Sequence, residues 1–152
     1  MQPFDRATPW AELIKRKLAI VGCLALVGCA TSPCTVSRAR PLPPQRITQL
    51  PSASNPNTAA HITVVRDSGF AGGGATINLR LNGNPVAAFH PCEALRFTLN
   101  PGDYVFGIKP VPDLGLGITE LGFTAKAGEH YGFRISSGYA GFTLQRSYEV
   151  NR

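Results

Sequence analysis

The four cysteines are the side chains of this 152-residue chain with the clearest chemistry. Cys23, Cys29 and Cys34 lie within twelve positions of one another, and Cys92 stands alone further along the chain. A thiol can ligate a metal, form a disulfide or accept a covalent group. Metal binding is disfavoured, because neither Cys34 nor Cys92 has a partner at metal-ligand spacing. The pattern therefore favours modification or pairing of these thiols.

The segment around the first two cysteines has the pattern of a secretory signal. Lys15–Lys17 precede an uncharged apolar run from Leu18 to Gly28, about eleven residues long, which matches the basic region and the 7–15-residue apolar core of such signals. The run is too short to span a bilayer, which takes about 20 apolar residues. We therefore expect residues 1–28 to be a cleaved signal peptide.

The end of this run, Leu26–Cys29, resembles the lipobox of bacterial lipoproteins. The resemblance implies that Cys29 is the first residue of the mature chain and carries diacylglycerol and further acyl chains such as palmitate. Each buried CH₂ contributes about 0.8 kcal/mol, so several chains make a durable anchor. Ile20–Cys23 also fits the motif, but a cut there leaves only about five apolar residues for the signal core. Ala30 stands where inner-membrane lipoproteins commonly have Asp, which implies sorting to the outer membrane, facing the periplasm.

Cys34 and Cys92 are then the two free thiols of the mature chain. The periplasm is oxidising, so a disulfide between them suits the compartment. Such a bridge would hold the domain close to the lipid, because Cys34 follows Cys29 by only five residues. The bridged and the unbridged chain remain alternatives at this level.

A proline-rich segment, residues 29–60, separates the lipidated cysteine from the rest. It contains almost no large apolar residue, and proline favours extended polyproline II, so we expect a disordered, semi-rigid tether rather than a packed element. Its prolines are Pro33, Pro41, Pro43, Pro44, Pro51 and Pro56. The folded domain is then residues 61–152.

Alternating apolar and polar residues begin at His61. Period two predicts strands that bury one face. Asn82–Asn84 and Ala127–Glu129 carry the signals of two tight hairpins, and Asn100–Asp103 those of another turn. The pattern predicts an all-β fold, a single antiparallel β-sandwich of about seven or eight strands. The clearest apolar faces are Ile77, Leu79 and Leu81; Leu95, Phe97 and Leu99; and Tyr131, Phe133 and Ile135.

The order of these strands and turns is similar to that of PEGA-like and related uncharacterised domains of bacterial lipoproteins. The similarity covers roughly Ile62–Ile135 and rests on "INLRLNGNPVAAFHPCEALRFTLNPGDYVFGI" followed by "AGEHYGFRI". It implies an adhesion or interaction module without catalytic residues. Pro91 and Cys92, with the longer "PVPDLGLG" loop, depart from that pattern.

No pattern of residues indicates catalysis, a metal or a cofactor. The three histidines, His61, His90 and His130, are not paired at metal-ligand spacing, so we expect them at the surface. The glycine run Gly69–Ile77 leads into a strand and lacks the helix N-terminus that would hold a phosphate. Ser136 and Ser137 lack the G-x-S-x-G turn of a hydrolase. We therefore expect a non-enzymatic protein.

Charge and loop composition bear on the partners. Residues 29–152 carry eleven Lys and Arg against seven Asp and Glu, because four of the 15 basic and two of the 9 acidic residues precede them. These basic residues are scattered, so a nucleic-acid partner is not expected. Leu114, Leu116 and Tyr139 lie in apolar loops and are candidate interaction residues, although the leucines could instead cap the domain's own core.

Together these features predict an outer-membrane lipoprotein. It would pass through the lipoprotein processing and sorting machinery and display its sandwich to an envelope protein or a cell-wall partner. A periplasmic carrier of a small apolar ligand is the alternative.

Overall fold

A computed structural model of the chain describes residues 31–69, 73–113, 115–138 and 140–151, and these form an all-β sandwich. The strands are β1 (Arg40–Pro41), β2 (Ala60–Arg66), β3 (Thr76–Leu81), β4 (Asn84–Phe89), β5 (Glu93–Leu99), β6 (Gly102–Val111), β7 (Thr119–Ala125), β8 (His130–Gly138) and β9 (Gly141–Arg146). One sheet has the order β1-β5-β2-β8-β9 and the other β4-β3-β6-β7. Short 3₁₀ turns span Pro44–Arg46, Pro56–Thr58 and Tyr148–Asn151.

The alternating sequence places one face of each strand between the sheets. In β3, Ile77, Leu79 and Leu81 are buried and the residues between them are half-buried, as period two requires. Aromatic rings from both sheets meet at the centre, where the ring centroids of Phe106 and Phe133 lie 4.9 Å apart in an edge-to-face arrangement. The prediction of an all-β sandwich is confirmed.

Two strand pairs are parallel, which corrects the prediction of a purely antiparallel sandwich. β2 runs parallel to β8, and β1 runs parallel to β5. The predicted hairpin at Ala127–Glu129 does not form, because the chain there crosses from β7 in one sheet to β8 in the other. The predicted hairpin at Asn82–Asn84 does form between β3 and β4, with Asn82 and Gly83 at φ values of 48° and 80°. Both values suit a two-residue hairpin turn.

The proline-rich segment packs against the sandwich, which corrects the expectation of a disordered tether for its described part. We call residues 31–58 the strap. Leu42 belongs to the main core and is 6% exposed, and Ile47 forms a β-bridge with Ala87. Proline is tolerated in extended edge segments, where a missing N–H interrupts no ladder on its outer side. A proline-rich composition is therefore compatible with an ordered edge of this sheet.

The direction of the strands defines two ends of the sandwich. The end at which β2, β6 and β8 finish also holds the start of the strap, and we call it the entry end. There the Thr31 hydroxyl donates to the Ser137 carbonyl, and Ser32 forms a β-bridge with Ser68. The far end is the one at which β3, β5 and β7 finish; its turns include Asn82–Gly83.

Candidate functional site

The start of the strap is fixed to the domain by a covalent bond. A disulfide joins Cys34 and Cys92, whose Cα atoms are 5.4 Å apart. Cys34 is buried with Val65 and Val150 in a second apolar cluster, on the outer face of the five-stranded sheet. These cysteines therefore act as a structural clasp, and disulfide-bonded thiols are not nucleophiles or metal ligands.

Buried charges lie beneath this clasp and are satisfied within the fold. Arg134 forms an ion pair with Asp67, which also accepts a hydrogen bond of 2.9 Å from the backbone N–H of Cys34. Arg66 donates to the carbonyls of Ala75 and Phe89, both at 2.7 Å. Burial lowers the pKa of Arg66 to about 10, against an opposing effect of the Glu93 charge, so the side chain stays cationic at neutral pH. These groups tie strand ends together.

Glu93 holds the middle of the strap. Its carboxylate accepts hydrogen bonds from the Arg46 guanidinium and, at 2.8 Å, from the backbone N–H of His90. Burial alone would raise the pKa of Glu93, but these hydrogen bonds and the charges of Arg46 and His90 outweigh it, and the pKa is lowered. The carboxylate is thus kept ionised, and its oxygens are hydrogen-bonded within the fold.

A groove of about 460 Å³ lies on the outer face of the five-stranded sheet. The outward-facing residues of three adjacent strands form its floor, because β5, β2 and β8 are neighbours in the sheet. The strap and the C-terminal 3₁₀ turn contribute its walls. The lining residues are Val36, His61, Ile62, Thr63, Arg96, Phe97, Thr98, His130 and Val150. This groove is the candidate binding site.

The parallel pairing of β2 with β8 creates the most distinctive feature of the groove. His61 lies opposite His130 in the ladder, and their imidazole rings stack with centroids 4.6 Å apart and planes inclined by 12°. On the other side of β2, His61 lies opposite Thr98 and Thr63 lies opposite Arg96. Two imidazoles, a guanidinium and two hydroxyls therefore face one cavity.

The groove suits an anionic group. Arg96 supplies a permanent positive charge and a fork of donors that matches a carboxylate or a phosphate. The imidazoles and the threonine hydroxyls add donors, and none of the described lining residues is a carboxylate. Among the residues described, no three His, Cys, Asp or Glu side chains converge as metal ligands. The arrangement therefore offers one positive charge and several hydrogen-bond donors to a bound anion.

Sequence reasoning missed this pair of histidines. The sequence predicts both at the surface, which is where they lie, but their spacing along the chain gives no reason to pair them. Each stands at the start of an alternating stretch, "HITVV" and "HYGFRI", and that shared pattern was the available signal. The pattern does not show which strands lie side by side, because the register between distant strands is decided by packing.

Of the other predicted interaction and lipidation residues, only Leu116 lies within the described residues. Leu116 is 44% exposed at the entry end, so in the structure it does not serve as a core residue. Leu114, Tyr139 and the proposed lipidation site Cys29 lie outside the described residues.

No protein-family model matches the chain, and no curated protein matches it. Within the described residues, no helix is long and apolar enough to cross a membrane.

Proposed function

We propose that the chain is an outer-membrane lipoprotein, anchored through Cys29 and facing the periplasm, whose β-sandwich is a non-enzymatic interaction module. The lipobox-like Leu26–Cys29, the basic residues before it and Ala30 after it support the anchor and its destination. The strand and turn order shared with PEGA-like domains supports an interaction role. No cofactor is needed for such a role.

The groove carries the interaction part of the proposal. It is open, polar and positively charged through Arg96, and it sits on an outer face of the domain, where a partner can reach it. We therefore propose that the module binds an envelope protein or a cell-wall component through an anionic group, a carboxylate or a phosphate. A guanidinium paired with such a group is geometrically specific as well as attractive.

Cys29→Ser tests the anchor. In the proposed anchor the lipid is attached to the Cys29 sulfur, which serine lacks. This variant should therefore lose all fatty-acid labelling in cells and accumulate as unprocessed precursor. Cys23→Ser is the matched control and should be labelled and processed normally, because Cys23 belongs to the part that is removed. Labelled fatty acid on the Cys29→Ser protein would contradict the assignment.

Photo-crosslinking in intact cells tests the groove. A photo-reactive residue in place of Thr98, at the groove floor, should give a discrete adduct. The same residue in place of Asn78, half-buried on the outer face of the other sheet, should not. Adding Arg96→Gln should reduce the Thr98 adduct about ten- to hundredfold, since a hydrogen bond to a charged group contributes about 1.5–3 kcal/mol and each 1.4 kcal/mol is a factor of about ten in affinity.

Arg80→Gln is the matched substitution on the opposite sheet and should leave the Thr98 adduct unchanged. An adduct insensitive to Arg96→Gln would contradict an anionic ligand in the groove. Equal adducts from the Thr98 and Asn78 positions would contradict the groove as the binding site.

One feature favours the alternative, a carrier of a small apolar ligand. A second groove of about 440 Å³ has a part lined by Leu121, Phe123 and Tyr131, with the charged Lys126, Glu129 and Arg146 around it. The Arg146 guanidinium lies 4.6 Å from the centroid of the Tyr131 ring. The centre of the sandwich is filled by its own rings, so an apolar ligand would bind at this second groove. A lipid retained by the purified protein would favour this alternative.

A further inference from the structure

Three exposed large apolar side chains of the described residues lie in the segment from the last residue of β6 to the first residue of β7, at the entry end. Val111, Leu116 and Ile118 are 45%, 44% and 48% exposed, and these three are half of the six large apolar side chains that are prominently exposed among the described residues. Exposed apolar groups gathered in one place mark an interaction surface. We call these three residues the entry-end loop patch.

The backbone presents Leu116 from a tight loop. Gly115 and Gly117 on either side of it have φ values of 72° and 71°, a conformation that glycine adopts without strain. The Leu116 side chain lies against Gly141, at the turn that joins β8 to β9, where an added Cβ would come within 3.3 Å of Leu116 Cδ1. Leu116 is therefore next to the turn after Ser137, and the Ile118 side chain lies against Gly107 of the neighbouring strand β6.

The start of the strap lies at that same turn. The Thr31 hydroxyl donates to the Ser137 carbonyl, and Thr31 follows Cys29 by only two residues. Two extended residues span at most about 7 Å. A lipid on Cys29 would therefore hold the entry end, and no other part of the domain, against the bilayer. Because the strap is packed on the sandwich, it supplies no slack that would let the domain move away.

The charges around this end suit a lipid surface as well. Arg38 and Arg40 are exposed on the strap beside it, where Arg40 reaches the Pro91 carbonyl at 3.5 Å. The acidic Asp113 in the loop is paired with Lys109 at 3.0 Å, which lowers its pKa and offsets its charge. Basic side chains beside apolar ones favour a bilayer that contains anionic headgroups.

We infer that the entry-end loop patch inserts into the headgroup region of the membrane that holds the lipid anchor, so that the sandwich stands on the bilayer with its strands pointing away. This inference rests on the proposed lipidation of Cys29. It assigns the loop a lipid partner, and it leaves the histidine groove, on a side face of the sandwich, open to other molecules.

Fluorescence in proteoliposomes tests the inference. The full chain, purified from cells, carries Leu116→Cys or Ile118→Cys labelled with a polarity-sensitive dye and is reconstituted in vesicles of phosphatidylethanolamine and phosphatidylglycerol. We expect the dye to shift to the blue and to lose most of its emission when nitroxide-labelled lipids are added. Val105→Cys is the matched control, because Val105 is a similarly exposed valine, at 40%, near the far-end turn.

The acylation state of the Cys29 peptide, read by mass spectrometry on the same preparation, separates the two ideas. An acylated chain with selective quenching at Leu116 and Ile118 supports the inference. An acylated chain with no quenching there, with quenching equal to that at Val105, or with its patch crosslinked to a second copy overturns the inference and leaves the lipoprotein proposal intact. A chain without acyl groups on Cys29 overturns both.

Discussion

Phe106→Ala is expected to lower the free energy of unfolding by about 3–5 kcal/mol. Phe106 is fully buried in β6 and bridges the two sheets, since its ring meets Phe97 and Phe133 edge-on and stacks on Phe123 with centroids 5.0 Å apart. Truncation removes aromatic contacts from both sheets and leaves a cavity that a rigid sandwich cannot close. The loss is a large part of the 5–15 kcal/mol that a small domain possesses.

Denaturant unfolding monitored by circular dichroism measures the effect. The midpoint should fall while the slope against denaturant stays unchanged, because the same surface is exposed on unfolding. Arg96→Ala is the control, because Arg96 is exposed on the outer face, and it should cost well under 1 kcal/mol. Comparable losses for the two variants would contradict the assignment of inner and outer faces.

The strands could be predicted from the sequence because their signal is local. Ile77, Leu79 and Leu81 alternate with polar residues whatever the strand pairs with, and Asn82–Gly83 encodes its hairpin through two residues that tolerate positive φ. Leu116 lies outside the strands of the structure. β7 begins at Thr119, so the leucine belongs to the preceding loop.

The pairing of strands could not be predicted, because it is decided by distant packing. A turn signal such as Ala127–Glu129 indicates that the chain reverses direction. It does not indicate whether the next strand joins the same sheet or the other one. Here it crosses, β8 settles parallel to β2, and only then do His61 and His130 meet. The candidate binding groove is a product of that crossover.

The prediction of a disordered tether was wrong for the strap because it rested on amino-acid composition alone. Few apolar residues and many prolines are typical of a tether, and the prediction followed from that average. The actual strap depends on a few specific contacts: the buried Leu42, the Arg46–Glu93 ion pair and the backbone N–H of Cys34 bound to Asp67. Amino-acid composition gives no information about such individual contacts.

Replacing both Cys34 and Cys92 with Ala is expected to lower the free energy of unfolding by about 4 kcal/mol. The disulfide joins residues separated by 58 positions, and in the chain-entropy description a loop of that length restricts the unfolded chain by about this amount. We expect the native contacts of the strap to persist without the bridge, so that the change acts mainly through the unfolded state. Thiol counting on the denatured wild-type chain, before and after reduction, first establishes that the bridge is formed.

Comparing the stabilities of three forms of the domain then separates the contribution of the disulfide from that of the other strap contacts. Reduced wild type should match the double alanine variant, because both lack only the bridge. A chain that begins at Ala59 should be less stable than either, because it also loses Leu42 from the core and leaves Glu93, 3% exposed, without Arg46. Equal stability of the shortened chain and the double alanine variant would mean that the strap contributes nothing beyond its disulfide, and residues 31–58 would then act as the tether that their composition suggests. A deficit in the shortened chain makes the strap part of the fold, and the domain then begins two residues after Cys29, close enough for a lipid there to set which end meets the membrane.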